Sequence, residues 1–321
     1  MRQPAGMHPA CRRIRGLSLS LPKIPAMELL DGRAVATAIK TRLKEETETF
    51  VAAGRRRPKL VAVLAGDNAA SAAYVRNKER ACAQAGFDSE VIRLPQDVTE
   101  DELLATVRRL NADSRVDGFI VQLPLPRHIR AQRILMAIDP AKDVDGFHPA
   151  NFGRMALGLD GFIPATPYGI LLLLEHYQIQ TAGLEAVVLG RSHIVGLPMS
   201  ILLAQKRSTG NATVTLVHSR TADLKAHTRR ADLLIAAIGR PGFVTGDMVK
   251  PGAIVIDVGI NRVKAPERKS GYRLSGDVDF DSVRTRAAYL TPVPGGVGPM
   301  TVAGLLMNTM KAYKRTVQGP R

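Results

Sequence analysis

The chain has 321 residues, 45% of them apolar, which is enough for two domains with a sizeable core each and argues against a disordered or repeat architecture. Its formal net charge is +16, but five of those charges (Arg2, Arg12, Arg13, Arg15 and Lys23) fall in the acid-free residues 1–26, and the other eleven belong to the rest. Aromatic residues make up only 4% and Trp is absent, so no aromatic-interleaved nucleic-acid surface is expected; attraction of small polyanions is the simpler use of the charge.

No window approaches the roughly 18 apolar residues of a membrane span, and the densest run, Gly169 to Leu174, ends at Glu175 and His176. Two cysteines, Cys11 and Cys82, and seven scattered histidines give neither a pairing nor a metal-ligand spacing, so a reducing cytoplasm is expected and a metal is not. Residues 1–26 are basic like a mitochondrial transit peptide, yet Pro4, Pro9, Pro22 and Pro25 disfavour its amphipathic helix. With Met7 and Met27 as alternative starts, the expectation is a leader that is disordered or not translated, with mitochondrial targeting as the alternative.

The first predicted element is a helix over Gly32–Ala53, with Val35, Ile39 and Leu43 on one face and Gly54 ending it. From Lys59 the pattern alternates: a strand at Leu60–Ala65, a helix at Ser71–Ala85, a strand at Glu90–Leu94, a helix at Glu100–Asn111 and a strand at Gly118–Gln122. Such alternation implies a parallel sheet covered by helices. Between Pro124 and Pro167 the chain is rich in Pro, Gly and Asp, which predicts the domain junction or an active-site linker.

A short apolar strand, Ala186–Gly190, then runs through Arg191–Gly196 into a helix at Pro198–Gln205. Strands at Thr213–His218, Leu233–Ile238 and Ala253–Val258 follow, and the last helix, Thr301–Tyr313, is long enough to cross back over the first domain. The predicted fold class is α/β: two doubly wound domains with a cleft between them, the second of Rossmann type. Residues 27–147 plus 299–321 are expected to form the catalytic domain and 148–298 the dinucleotide-binding domain.

A helix N-terminus beyond a parallel strand offers free N–H groups to a pyrophosphate, and Gly190, Arg191 and Ser192 sit at such a place. The spacing Gly-x-x-x-x-x-Gly departs from the usual dinucleotide fingerprint and also fits a plain strand-to-helix turn. At the end of the next strand, where an NAD site usually carries a carboxylate, the chain has Ser219-Arg220-Thr221. Hydroxyls and a guanidinium can bind the 2′-phosphate that a carboxylate would repel, so NADP is the expected cofactor.

Three further segments stand out: Gly66-Asp67-Asn68-Ala69-Ala70-Ser71-Ala72-Ala73-Tyr74-Val75-Arg76-Asn77-Lys78, then Val121-Gln122-Leu123-Pro124-Leu125-Pro126, then Lys142-Asp143-Val144-Asp145-Gly146-Phe147. Tyr74 and Lys78 are four apart and share a helix face, and a lysine held beside an aromatic ring in a cleft suits proton exchange. Gln122 ends a strand, where its neutral amide can accept a bond from a lysine without forming an ion pair. Asp145 lies in an Asp-Gly turn, which an Asx turn would also explain.

With Gly190-Arg191-Ser192 and the run Thr291 to Thr301, these motifs resemble the methylenetetrahydrofolate dehydrogenase/cyclohydrolase family, from about Leu30 to about Tyr313. The resemblance implies oxidation of 5,10-methylenetetrahydrofolate with NADP to the methenyl form and its hydrolysis to 10-formyltetrahydrofolate, which would supply one-carbon units for purine biosynthesis. It implies Lys78, Gln122 and Asp145 as catalytic residues, with Lys78 assisting hydrolysis, Gln122 tuning it and Asp145 anchoring the pterin. Tyr74, Val121, Leu123, Pro294, Gly295, Gly296, Val297 and Gly298 would line the folate site beside them, and Ile260 would join the cofactor contacts. Ala165 stands where many relatives carry cysteine, so the scheme needs no thiol. Apparent insertions near Lys206–Gly210 and Lys264–Gly271 fall in predicted loops. The family further implies a cytoplasmic homodimer acting on tetrahydrofolate derivatives that carry polyglutamate tails. Two alternatives stay open: an NADP-dependent dehydrogenase without the hydrolase, and a dinucleotide-binding module without catalysis.

Overall fold

A computed structural model of the chain describes residues 27–268 and 271–318. The basic leader, residues 1–26, and the last three residues of the expected C-terminal segment lie outside the described residues.

In chain order the elements are β1 (Glu28–Leu29), α1 (Gly32–Ala52), β2 (Lys59–Ala65), α2 (Ala69–Gln84), β3 (Asp88–Leu94), α3 (Glu100–Ala112) and β4 (Gly118–Val121). Three short helices follow: α4 (Ala131–Ala137), α5 (Pro149–Ala156) and α6 (Ala165–His176). Then come β5 (Glu185–Leu189), α7 (Gly196–Ala204), β6 (Thr213–Val217), α8 (Leu224–Arg229), β7 (Leu233–Ala236) and β8 (Ile254–Asp257). The chain closes with β9 (Asn261–Lys264), β10 (Tyr272–Ser275), α9 (Phe280–Val283), β11 (Tyr289–Leu290) and α10 (Val297–Gln318).

The first unit is built on a parallel sheet of order β3-β2-β4, in register Lys59 to Asp88 and Leu60 to Gly118. The second is a six-stranded parallel sheet of order β1-β11-β8-β7-β5-β6. Successive strands leave β5 on opposite sides, β6 to one and β7 to the other. That reversal opens a crevice beyond the carboxyl ends of β5 and β7, the usual ligand position in such sheets.

The strand β1 pairs with β11, so Glu28 and Leu29 belong to the larger sheet, although the expected first domain begins at residue 27. Two residues carry no periodicity that could have announced this. Strands β9 and β10, not among the predicted elements, form an antiparallel hairpin, and the loop expected near Lys264–Gly271 falls between them.

Helix α1 starts at Asp31, whose carboxylate accepts from Arg33 N (2.8 Å) and Ala34 N (3.2 Å), and it buries Val35, Ala36, Ile39 and Leu43 on one face. Helix α10 buries Ala303, Leu306, Met310 and Tyr313 at spacings of three and four, and packs against both α6 and α1. Tyr313 is fully buried, meets Phe50 edge-on at 5.1 Å and donates to Arg56 O at 2.6 Å. A buried side chain of this size contributes roughly 1.5–3 kcal/mol, so α10 ties the two units into one core. Among the described residues no helix is long and apolar enough to cross a membrane.

Candidate active site

Helix α2 carries Tyr74 and Lys78 one turn apart, and β4 ends at Val121, immediately before Gln122. The structure joins the two predicted residues: Lys78 Nζ donates to Gln122 Oε1 at 3.2 Å. Gln122 Nε2 donates to Leu123 O at 2.8 Å, which turns the amide so that its oxygen faces the lysine. The main chain of Gln122 is itself fixed by a bond from its N–H to Val63 O at 2.9 Å, which extends the sheet by one residue.

Asp145 faces the same lysine. Burial pushes its carboxyl pKa up, and the positive charge of Lys78 pulls it back. Its loop is held by Asp143, a buried residue beside β4 whose carboxylate accepts from His148 N (2.8 Å), Asn151 Nδ2 (2.9 Å) and Phe147 N (3.2 Å). Burial raises Asp143 to about 6, the three donors partly offsetting it. From α10, Asn308 Nδ2 donates to Val144 O and Ile163 O, both at 2.8 Å, so the last helix fixes the Asp145 loop from behind. Lys142, in the same motif, is structural: its Nζ donates to Leu110 O and Asp113 O at the end of α3.

A cleft of about 690 Å³ opens next to this cluster. Its lining includes Tyr74, Ile260 and the loop Pro294–Gly298, whereas Lys78, Gln122 and Asp145 stand outside it. Val121 is 2% exposed and its side chain packs in the core of the first unit, which leaves its main chain to meet a ligand. Four basic residues on the cleft were not anticipated: Arg33, Lys40, Arg80 and Arg262. The seven-residue spacing of Arg33 and Lys40, two turns of α1, was a usable signal. Lys40 Nζ reaches Gln84 Oε1 at 2.6 Å, and Arg262 lies over the Tyr272 ring at 4.6 Å. Burial raises the Tyr74 phenol, and Arg262 lowers it in part.

In the second unit the turn between β5 and α7 lies at the crevice. Gly190 has φ +120°, and a Cβ there would stand 2.1 Å from Ala237 O; a Cβ on Gly196 would stand 1.9 Å from Gly190 O. Ser192 Oγ accepts from Val195 N (3.1 Å) and Gly196 N (3.4 Å), closing the turn, and Arg191 and Ser192 are exposed at its tip. After β6, Ser219 and Arg220 are exposed, and Thr221 Oγ1 accepts from His218 N at 2.9 Å with its proton left to donate. Ile260 is 42% exposed on the cleft. A narrow glycine turn for a pyrophosphate, with cations and hydroxyls and no carboxylate at the end of β6, fits NADP.

Among the described residues no group of three or more His, Cys, Asp or Glu could hold a metal ion. Cys82 is buried, its thiol pushed up to about 12 by burial.

Fold and site together define a two-unit α/β enzyme of the dinucleotide-dependent class, with a lysine-centred cluster beside a cleft and a glycine turn beyond β5 in the larger sheet. Residues 30–145 match the family model of the tetrahydrofolate dehydrogenase/cyclohydrolase catalytic domain, and residues 164–317 that of its NAD(P)-binding domain. The chain belongs to the tetrahydrofolate dehydrogenase/cyclohydrolase family. It is 56% identical over 288 residues to the bifunctional protein FolD of Flavobacterium johnsoniae, covering 90% of this chain and 98% of that one. The FolD dehydrogenase/cyclohydrolase crystal structure from Campylobacter jejuni superimposes with TM-score 0.85 at 48% identity, over 90% of this chain and 99% of that one. The FolD structure from Trypanosoma brucei, complexed with NADP and an inhibitor, gives TM-score 0.87 at 43% identity, over 92% of this chain and 100% of that one.

Proposed function

We propose that Lys78 manages the proton in the hydrolytic half of a two-step reaction, with Gln122 and Asp145 holding it in place. The chain is an enzyme that oxidises 5,10-methylenetetrahydrofolate to the methenyl form with NADP and hydrolyses that product to 10-formyltetrahydrofolate. NADP supplies a hydride acceptor. The observation that carries the residue assignment is the 3.2 Å bond from Lys78 Nζ to Gln122 Oε1, at the edge of the cleft and within the electrostatic reach of Asp145. Lys78 then stands ready to pass a proton between the attacking water and the opening ring. Asp145 binds the amino edge of the pterin, Tyr74 lies along the ring system, and the main chain of Val121 and Leu123 borders it. The loop Pro294-Gly295-Gly296-Val297-Gly298 covers the opposite side.

Gly190, Arg191 and Ser192 hold the pyrophosphate in this reading, Ser219, Arg220 and Thr221 the 2′-phosphate, and Ile260 the nicotinamide ring. The first domain comprises 30–147 and the second 148–298, with α10 serving both. Arg33, Lys40 and Arg80 run along α1 and α2 away from Tyr74, and this cationic path suits the carboxylates of a polyglutamate tail. The enzyme works as a cytoplasmic homodimer that feeds purine biosynthesis.

The test follows methenyltetrahydrofolate in one cuvette with NADP or NAD supplied, so that formation and decay report the two steps. Gln122→Leu removes the acceptor at similar volume; slower decay with unchanged NADP binding is expected, and decay at the native rate would contradict the assignment.

A further inference from the structure

Two buried carboxylates, Asp257 and Asp277, take no part in the chemistry described above. Asp277 is fully buried: its Oδ2 accepts from Ile238 N (2.7 Å) and Gly239 N (2.9 Å), and its Oδ1 from Asn261 Nδ2 (2.9 Å). Asp257, 3% exposed, accepts from Gly259 N (2.9 Å) and Asp277 N (2.8 Å) at Oδ1 and from Val278 N (3.0 Å) at Oδ2. Its own N–H donates to Thr291 Oγ1 at 2.7 Å, where the proline-glycine loop of the cleft begins. A Cβ on Gly276 would stand 1.7 Å from Asp257 Oδ2, so the approach leaves no room for another residue there. The pair thus joins the chain after β7, after β8, after β10 and after β11, all at one end of the sheet.

We propose that Asp277, backed by Asp257, is a positioning residue for hydride transfer that keeps the loops after β7 and β8 in fixed register under the nicotinamide. The strand order carries this. The glycine turn lies at the tip of β5 and the substrate cleft at the tips of β8 and β11, so a dinucleotide reaching from one to the other crosses the tips of β7 and β8. Those are the loops that Asp277 clasps from below. Burying two neighbouring carboxylates costs folding free energy, and burial pushes Asp257 up to about 7 against the pull of its three N–H donors. A rigid platform is the return for that cost, since hydride transfer is sensitive to displacements of an ångström or less. The hydrolytic residues Lys78, Gln122 and Asp145 make no hydrogen bond with this clasp among those seen in the described residues. The inference rests on the cofactor placement proposed above.

The experiment compares native enzyme with Asp277→Ala and with Asn261→Ala, which removes a single arm of the clasp. Three quantities are measured on each: dehydrogenase kcat and KM, NADP affinity by calorimetry, and cyclohydrolase activity on methenyltetrahydrofolate without dinucleotide. For Asp277→Ala, dehydrogenase kcat is expected to fall about a hundredfold, with NADP affinity and cyclohydrolase activity changed by no more than about threefold. Asn261→Ala is expected to show the same split at about tenfold, and it keeps the test open where Asp277→Ala does not fold. An equal loss of both activities, an unchanged dehydrogenase, or a loss of NADP affinity in proportion to the lost turnover overturns the proposal. Failure of the cofactor placement itself reads differently, as NADP affinity that ignores changes at Arg220 and Gly190.

Discussion

The two units are built on different principles. On the first unit the proposed working groups are side chains, Lys78 on a helix and Gln122 at a strand end, joined by one bond to each other, with the Asp143 and Asn308 contacts holding the neighbouring Asp145 loop. On the second unit the site is mostly main chain: a glycine turn, a serine that closes it, and loops clasped by buried carboxylates. A side-chain site can lose one group and keep its shape, whereas a main-chain site loses its shape with any Cβ in the wrong place. Deletions on the first unit should therefore stop chemistry and spare binding, and additions on the second should stop binding and spare the hydrolase.

The largest effect expected is that of Lys78→Met, which removes the titrating group at similar volume. Cyclohydrolase activity should fall about a hundred- to ten-thousand-fold while NADP affinity is unchanged, as measured by decay of methenyltetrahydrofolate and by calorimetry. Full hydrolysis in that variant would break the comparison on the first unit. Gly190→Ala comes next. Its φ of +120° and the 2.1 Å gap to Ala237 O force the turn to move, at a cost of about 2–3 kcal/mol. The expected readout is a dehydrogenase that requires far more NADP, beside a cyclohydrolase near its native rate; an equal loss of both would dissolve the distinction between the two units.

The same contrast governs what the sequence discloses. The alternation from β2 to β4 and from β5 to β8 is periodic and apolar, so the strands are legible to within a few residues, and with them the positions of Gln122 and Gly190 at strand ends and of Lys78 on the helix after β2. Helix α6 is not, because Ile170, Leu171, Leu173 and Leu174 are all buried and a helix apolar on every side shows no amphipathic period. The hairpin β9–β10 has short, partly exposed strands, so only the loop between them was expected from the sequence. Asp143 stood inside a motif but beside the more conspicuous Asp145; Asp277 resembles an ordinary loop acid, and Asp257, at the end of an expected strand, shows no sign of its partners until the fold buries both. Burial comes from residues far away in the chain, and no local spacing reports it. The basic lining of the cleft escaped for the same reason, since Arg33, Arg80 and Arg262 converge from three separate elements.

A smaller effect sharpens the second unit's part. Arg220→Ser leaves the turn and the hydroxyls intact and removes one cation from the proposed 2′-phosphate site. A charge-assisted hydrogen bond contributes about 1.5–3 kcal/mol, so the preference for NADP over NAD should narrow about tenfold to a hundredfold, through KM. An unchanged ratio of kcat/KM for the two cofactors would move the 2′-phosphate away from β6.

The smallest effect expected concerns the support of the first unit's site and is seen through pH. Burial raises the Asp143 carboxyl to about 6, above its value in the unfolded chain, so the native state holds the proton more tightly than the unfolded one. Its contribution to stability is then fully present below about pH 4 and is lost as pH rises through about 6. For a shift of this size the difference is about 2 kcal/mol across that window. Asp143→Asn has no proton to lose, so the stability difference between native enzyme and variant, from urea melts at a series of pH values, should slope between pH 4 and pH 6 and flatten above about pH 7. The asparagine also presents an amide N–H₂ toward one of the N–H donors of His148, Phe147 and Asn151, which lowers stability at every pH without adding slope. A pH-independent difference would mean that Asp143 titrates as in the unfolded chain, and the Asp145 loop would then rest on the Asn308 contacts instead.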